Sequence, residues 1–302
     1  MSRILVCGLV NMETTVSVDF FPIEYRPVDY RFFGVSSHPA GVGFNLSLAL
    51  NTLGDDVVLC SFTGDDSAGE IIRTKLEAQG ISTNNVLCKN KSTAQSVILY
   101  DKEGRRNIIC DLADNQDLQY DEDVFVSAIE GCDIACMCNI NYSAGLLHIA
   151  KNKGVLIASD VHCLSDIHDE YNARFMRVAD ILFISNENFM GREQEFVTSV
   201  ADAYNIQIIV VGMGSKGALL YTRTDNSFIF VPAVSTRPVK NTVGAGDSLF
   251  SSFIHFYAQS KDPLDSLQKA VYFASYKIGD NGASKGFLTE KELLELITKE
   301  EV

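Results

Sequence analysis

Positive charge is in short supply in this sequence: 25 Lys and Arg stand against 39 Asp and Glu, a net charge of −14. Such a surface repels polyanions, which argues against a general nucleic-acid or anionic-membrane partner. A single anionic nucleotide stays open, because local amides and a metal can hold it without help from global charge. Long apolar runs are missing as well, and no stretch approaches the roughly 18 residues of a membrane span. Arg3-Ile4-Leu5-Val6-Cys7 is only strand-length, so no charged-then-apolar leader is expected. The eight cysteines lack a dense disulfide pattern, and reduced thiols in a cytoplasmic setting are expected. A Gly-x-Gly-x-x-Gly fingerprint is absent after the first strand, where Gly8-Leu9-Val10-Asn11 stands, so a Rossmann-type oxidoreductase is disfavoured. Repeats and low-complexity linkers are lacking too, and 302 residues suffice for one large α/β domain or two unequal ones.

What the sequence does contain is organised around Asn241-Thr242-Val243-Gly244-Ala245-Gly246-Asp247-Ser248. Gly244 and Gly246 bracket a small Ala245, so the backbone can turn tightly there and approach a ligand closely. Leu249, Phe250, Phe253, Ile254 and Tyr257 follow at three- and four-residue spacing and predict a buried amphipathic helix. The turn therefore sits at a helix N-terminus, where free N–H groups and the positive dipole end attract an anion. Asp247 lies in the same first turn. Beside an anion site, a carboxylate suits the task of taking a proton from a hydroxyl that attacks the anion. The plainer alternative is a glycine-rich turn with Asp247 as a favourable first-turn acid.

Along the rest of the chain, Ile4–Gly8 predicts a first buried parallel strand, with Asn11 and Glu13 as polar residues just beyond its carboxyl end. Thr15-Val16-Ser17-Val18 alternates, Pro22 and Pro27 punctuate, and Tyr30-Arg31-Phe32-Phe33 is again strand-like. Gly41 and Gly43 precede a helix with Leu46, Ala49, Leu50 and Leu53 on its apolar face and Gly54 as its cap. A tight helix start explains the two glycines as well as a ligand does. Val57–Ser61 and a helix carrying Ile71, Ile72 and Leu76 repeat strand, loop, helix. Ala94–Tyr100 and Arg106–Cys110 read as two strands joined by a turn at Asp101-Lys102-Glu103-Gly104. Cys132, Cys136 and Cys138 invite a metal reading, with His148, His162 and Cys163 as completions. Their spacing is not Cys-x-x-Cys, and Ile134, Cys136 and Cys138 alternate as along an apolar strand. Asn139 and Asn141 follow that strand. Leu156–Asp160 and Ile181–Ser185 are further buried strands, the second reaching a polar corner at Asn186-Glu187. Ile208–Tyr221 reads as strand, glycine turn at Gly212, Gly214 and Gly217, and strand, a turn that suits either phosphate or a plain hairpin. Leu264–Tyr276 predicts a helix.

The stretch 241–247 resembles the C-terminal signature of the ribokinase-like (PfkB) carbohydrate and nucleoside kinases, Asp-Thr-x-Gly-Ala-Gly-Asp, departing at Asn241. Gly41, Gly43 and Asn45 match the N-terminal signature of that family, with Ala40 and Ser47 as departures. The resemblance spans nearly the whole chain. It implies a three-layer α/β/α sandwich with a mostly parallel central sheet and a small β-sheet lid. The whole of 1–302 would be one kinase domain, with lid segments near 12–38 and 92–112. A lid would exclude water during phosphoryl transfer.

The resemblance implies ATP-dependent phosphorylation of a hydroxyl on a small sugar or nucleoside. Asp247 would be the base, and the amides of Gly244, Ala245 and Gly246 an anion hole. Asn11, Glu13 (in place of the family's Asp), Gly41 and Asn45 would hold the substrate. Asn186, Gly212, Gly214, Gly217, Asn281 and Gly282 would line the ATP site. Asp160 matches an acid of the family pattern, while His162 takes the place of a family Asn and reads as a polar pocket wall or a satisfied loop histidine. Magnesium is implied, potassium is an optional cofactor, and dimerisation through the lid is an optional assembly. Phe189 stands where the family has a metal-side Glu, which leaves Glu187 as the nearest carboxylate. Together with Asn241, Phe189 motivates the alternative of a binding-only pseudokinase.

Overall fold

The computed structural model describes residues 1–103 and 105–300. It begins with β1 (Arg3–Cys7), β2 (Asn11–Ser17), β3 (Val35–Ala40) and α1 (Val42–Leu53). There follow β4 (Asp56–Gly64), α2 (Ser67–Glu77), β5 (Val86–Asn90), β6 (Gln95–Tyr100) and β7 (Arg106–Asp111). Helices and strands then alternate through α3 (Glu122–Ile129), β8 (Ile134–Met137), α4 (Asn141–Asn152), β9 (Leu156–Asp160), α5 (Glu170–Met176), β10 (Ile181–Ser185), α6 (Glu193–Tyr204) and β11 (Ile208–Gly212). A hairpin of β12 (Gly217–Thr222) and β13 (Ser227–Pro232) leads to α7 (Ala245–Ser260), α8 (Pro263–Lys277) and α9 (Glu290–Glu300).

The large sheet has the strand order β13-β12-β11-β10-β9-β8-β1-β4-β5. It is parallel except for the β11-β12-β13 end. Its strands are apolar on both faces, as the cover of helices on each side requires. In β1, Ile4 and Val6 join the core beneath α1, α7 and α8, while Leu5 and Cys7 join the core beneath α3, α4 and α6. The thiol-rich strand follows the same rule: Ile134 and Cys136 face one layer, Ala135 and Met137 the other. Cys136 and Cys138 are thus packed as small apolar side chains, and burial pushes both thiols up. All eight cysteines are free.

From β1 the chain winds to β4 and β5 on one side, then returns to β8 and winds the other way. The winding direction reverses between β1 and β8, which lie side by side. In such sheets the reversal opens a crevice outside the carboxyl ends of the strands.

A second, four-stranded sheet has the order β3-β2-β6-β7. β2 runs antiparallel to β3 and parallel to β6, and β6 runs antiparallel to β7. It is assembled from the two segments expected to form a lid, and it corrects two details. Asn11 and Glu13 open β2 rather than occupying a loop. Tyr30–Phe33 is not a strand. Among the described residues no edge pairs with it, Phe33 turns at φ 59°, and Tyr30, Phe32 and Phe33 are exposed. In α2, Ile72 and Leu76 are buried but Ile71 is exposed, so the helix presents a narrower apolar face than its sequence suggests. Gly104, part of the expected turn, lies outside the described residues.

Candidate active site

α7 begins at the reversal crevice. Gly244 adopts φ 76°, and a Cβ there would meet the Ala283 carbonyl at 2.8 Å, so the position accepts only glycine without strain. The Ala245 amide donates to the Thr242 carbonyl at 3.2 Å. Among the described residues the amides of Gly244, Gly246 and Asp247 meet no backbone acceptor. At Gly246 the space a Cβ would take has no atom within 4 Å. Unbonded donors, an open side and the positive end of a sixteen-residue helix together suit an anion.

Asp247 sits in this first turn, crowded by protein yet still partly accessible. Its Oδ2 accepts a hydrogen bond from Asn45 Nδ2 at 2.7 Å. Asn45 belongs to α1, held there by the close crossing of α1 over the β1–β2 connection. The Gly43 amide donates to the Leu9 carbonyl at 2.9 Å, and a Cβ on Gly43 would strike the Gly8 carbonyl. Gly41 approaches as closely: its Cβ would lie 2.5 Å from the Leu9 carbonyl. Both glycines therefore serve the tight helix start. Burial pushes the Asp247 carboxyl above its ordinary range; the Asn45 amide and the nearby His162 and Lys277 pull it back. A carboxyl with a raised pKa is a better proton acceptor from a hydroxyl. His162 follows β9 at φ 55° with its Nδ1 3.4 Å from Asp160 Oδ2, and the Asp160 charge raises its pKa to about 9. Its ring is half-exposed, so that cation is screened by solvent.

The small sheet turns one face toward this crevice. Asn11 Nδ2 donates to Ser96 Oγ at 2.9 Å, while Asn11 Oδ1 is buried without a partner. Glu13 is paired in register with His38 on β3, and Glu13 Oε1 lies 3.4 Å from His38 Nε2. Glu13 Oε1, both His38 ring nitrogens and Asn45 Oδ1 are likewise buried and lack a hydrogen-bond partner. Buried polar atoms are normally satisfied, so this group has free hydrogen-bonding capacity for a polar ligand. His38 was not anticipated from sequence. Only the β2–β3 register brings it to Glu13, and no local pattern signals that pairing. The surface grooves elsewhere, along α9 and between Lys151 and Tyr257, gather no such orphaned atoms among the described residues.

Beyond β10 and β11 lies a second polar group. Ser185 pairs in register with Gly212, which brings Asn186 beside the glycine turn. Gly214 opens the 3₁₀ turn Gly214–Lys216, and a Cβ on Gly217 would strike the Val231 carbonyl, so Gly217 is required by the hairpin itself. Asn186 Nδ2 donates to Glu193 Oε1 at 2.8 Å. That bond holds the Glu193 carboxyl below its ordinary range, with the Lys216 charge adding to it. Glu187 turns elsewhere: it is exposed and accepts from Cys163 Sγ at 3.2 Å. Phe189 is buried and stacks on Phe196 at 4.1 Å. The carboxylate next to Asn186 is thus Glu193, at the start of α6. The sequence signal for it was an acid-rich helix start after Asn186, further along than the expected spacing. One carboxylate with an amide neighbour suits magnesium, which takes few protein ligands and completes its shell with phosphate and water.

Asn139 and Asn141 do not face either group: Asn139 bonds Asn172, and Asn141 bonds Arg174 and Gln116. Asn281 is exposed, and a Cβ on Gly282 would lie 2.7 Å from His38 Nε2. Ala283 packs with Val243 and Ile98, so this loop lies between the anion-site turn and the small sheet.

Free helix N-terminal amides beside a carboxylate, at the reversal crevice of a three-layer α/β/α sheet, are the parts that a phosphotransferase-type site needs. The model of the "pfkB family carbohydrate kinase" matches residues 1–290, and the chain belongs to that family. It is 24% identical over 325 residues to a ribokinase of Dictyostelium discoideum, covering 97% of this chain and 99% of the relative. It is 25% identical over 286 residues to an ATP-dependent ribose-1-phosphate kinase of Halopiger xanaduensis, covering 94% of each. A solved microbiome-derived acarbose kinase superposes with a TM-score of 0.87 at 23% identity, covering 98% of this chain and 99% of that one. A ribokinase of Arabidopsis thaliana, solved with ribose and ATP, superposes with a TM-score of 0.82 at 18% identity, covering 98% and 99%. The protein is a carbohydrate kinase with a ribokinase-like fold, of a family that uses ATP to phosphorylate an alcohol group. No helix among the described residues is long and apolar enough to cross a membrane.

Proposed function

We propose that the protein transfers the terminal phosphoryl group of ATP to a hydroxyl of a small sugar or nucleoside. Asp247 takes the hydroxyl proton, and the amides of the Gly244–Gly246 turn stabilise the charge on the group in transit. The observation that carries this reading is the Asn45–Asp247 hydrogen bond at the mouth of the anion site, which aims a desolvated carboxylate where an acceptor hydroxyl would lie. The acceptor is held by Asn11, Glu13, Gly41 and Asn45, to which His38 is added. Their unpartnered buried atoms support a substrate rich in hydroxyls. Relatives named for ribose, deoxyribose and ribose-1-phosphate put pentoses first among the candidates.

Asn186, Gly212, Gly214, Gly217, Asn281 and Gly282 form the nucleotide side. Magnesium, when bound with ATP, neutralises phosphate charge; Glu193 with Asn186 is the better-suited place for it, ahead of Glu187. The whole chain acts as one kinase domain, with the small sheet as its lid, in the cytoplasm. Dimerisation through that sheet is supported by Val97 and Ile109, register partners that are both exposed. The test is ADP release from magnesium–ATP across a panel of sugars, nucleosides and sugar phosphates. One acceptor-dependent hit establishes the reading and the substrate class; ATP binding with silence across a broad panel would favour the binding-only alternative.

A further inference from the structure

Lys277 closes α8 with its side chain wholly buried. Lysine is almost never found there unless something holds its charge. Among the described residues no carboxylate makes an ion pair with it. Its Nζ instead donates to the carbonyl of Val243, the residue immediately before Gly244. The loop is fastened to the same end of α8 a second time: the amides of Lys240 and Asn241 donate to the Ile278 carbonyl at 2.9 and 3.0 Å. Asp247 from α7, Glu13 from β2 and Asp280 after α8 all act on the ammonium through their charge. A fixed positive charge thus lies under the anion-site turn and within the field of both the base and the small sheet.

We propose that the Lys277 ammonium is the built-in monovalent cation of this active site, holding the Val243 carbonyl, and with it the free amides of the turn, in place of a bound potassium ion. The inference rests on the kinase reading above. A mobile potassium ion does not fit the loop as it stands, because a tethered ammonium already takes the Val243 carbonyl. Asn241 points the same way. It carries no charge, unlike the Asp of the family signature, and its Oδ1 is taken up by the Val243 amide at 2.9 Å. Burial pulls the Lys277 pKa down to about 8 and the surrounding carboxylates oppose that, so the group stays largely charged at neutral pH. Lys277 is a positioning residue: it reaches the reaction through the loop, not by touching the acceptor.

The experiment compares wild type, Lys277→Ala and the volume-conserving Lys277→Met, each with and without potassium, ammonium or methylammonium chloride. Turnover and ATP binding by calorimetry are both read. Wild type should change by no more than about twofold with added cation, and Lys277→Ala should lose on the order of tenfold to hundredfold in kcat. Ammonium or potassium should restore much of that loss in Lys277→Ala and tighten its ATP binding, while Lys277→Met, with the space filled by a neutral chain, should be impaired and not rescued. Tenfold activation of wild type by potassium overturns the inference, as does a folded Lys277→Ala that no cation rescues. If Lys277→Ala does not fold, wild-type potassium independence together with impaired Lys277→Met decides for it, and an unimpaired Lys277→Met decides against it. Absence of wild-type turnover with every acceptor defeats the kinase reading instead, and the calorimetric arm still tests the cation.

Discussion

Asn45 and Asp247, 202 residues apart in the chain, are joined by a 2.7 Å hydrogen bond that holds the Asp247 carboxylate in the first turn of α7. The amide group can only donate to that carboxylate through Nδ2, and the bond holds the Oδ2 atom. Asn45, expected to hold substrate, is on the proposed mechanism also the residue that orients the base.

Asp247→Asn should lower kcat by about 10³-fold, the scale of a lost general base, while ATP affinity stays within about twofold. Turnover together with calorimetric ATP titration checks this. Wild-type turnover in that variant would remove Asp247 from its role.

Asn45→Ala removes a hydrogen bond that favours the charged form of Asp247. The Asp247 pKa should rise further, and the acid limb of the kcat/KM profile should move to higher pH. Loss of orientation should also lower kcat on the order of tenfold to hundredfold. A pH–rate profile of the two proteins separates these effects.

Glu193→Gln should raise the magnesium concentration for half-maximal activity on the order of tenfold, whereas Glu187→Gln should leave it nearly unchanged. Binding of magnesium–ATP measured by calorimetry gives the same comparison without turnover. Equal effects at the two positions would place the metal nearer Glu187 than the Asn186–Glu193 bond suggests.

Above pH 8 wild-type activity should decline as the Lys277 ammonium loses its proton, with Asp247, Glu13 and Asp280 as the charged groups that face it. Stability should move the other way. The folded pKa, about 8, lies below that of an unfolded lysine, so the unfolded chain binds the extra proton between about pH 8 and 10. In that window this group favours the folded state increasingly as pH rises. Denaturant titrations and kinetics over the same pH range test the two opposite trends.

His255→Ala should destabilise the fold by about 3 kcal/mol, the scale of breaking a buried pair, with kcat unchanged. His255 Nδ1 and Asp55 Oδ2 are 2.7 Å apart, both residues are buried, and Asp55 also accepts from the Ser2 amide at 3.3 Å. Urea unfolding of the variant measures it.

Much of the layering was legible in the sequence because it depends on short-range periodicity. Ile4–Cys7 and Ile134–Cys138 read as core strands, and Leu249–Tyr257 as a buried helix, since spacing alone sorts their side chains between faces. Tyr30–Phe33 shows the limit of that reasoning: aromatic residues suit a strand, but a strand needs an edge to pair with, and among the described residues none pairs with it. Phe189 shows another. It occupies the expected spacing from Asn186, yet packing against Phe196 puts it in the core and leaves the carboxylate's place to Glu193.

By itself the sequence determined the core strands at Ile4–Cys7 and Ile181–Ser185, the glycine turn before α7 and the presence of an acid in that turn, because each is a property of neighbouring residues. Tertiary structure alone decided which side chains meet: Asn45 with Asp247, Glu13 with His38, Asn186 with Glu193, and Lys277 with the Val243 carbonyl. Those contacts depend on strand register, on the crossing of α1 and α7, and on where α8 ends. Long-range closure of this kind leaves no local pattern in the chain, and it is what sets an oriented carboxylate beside the free amides of a glycine-rich turn.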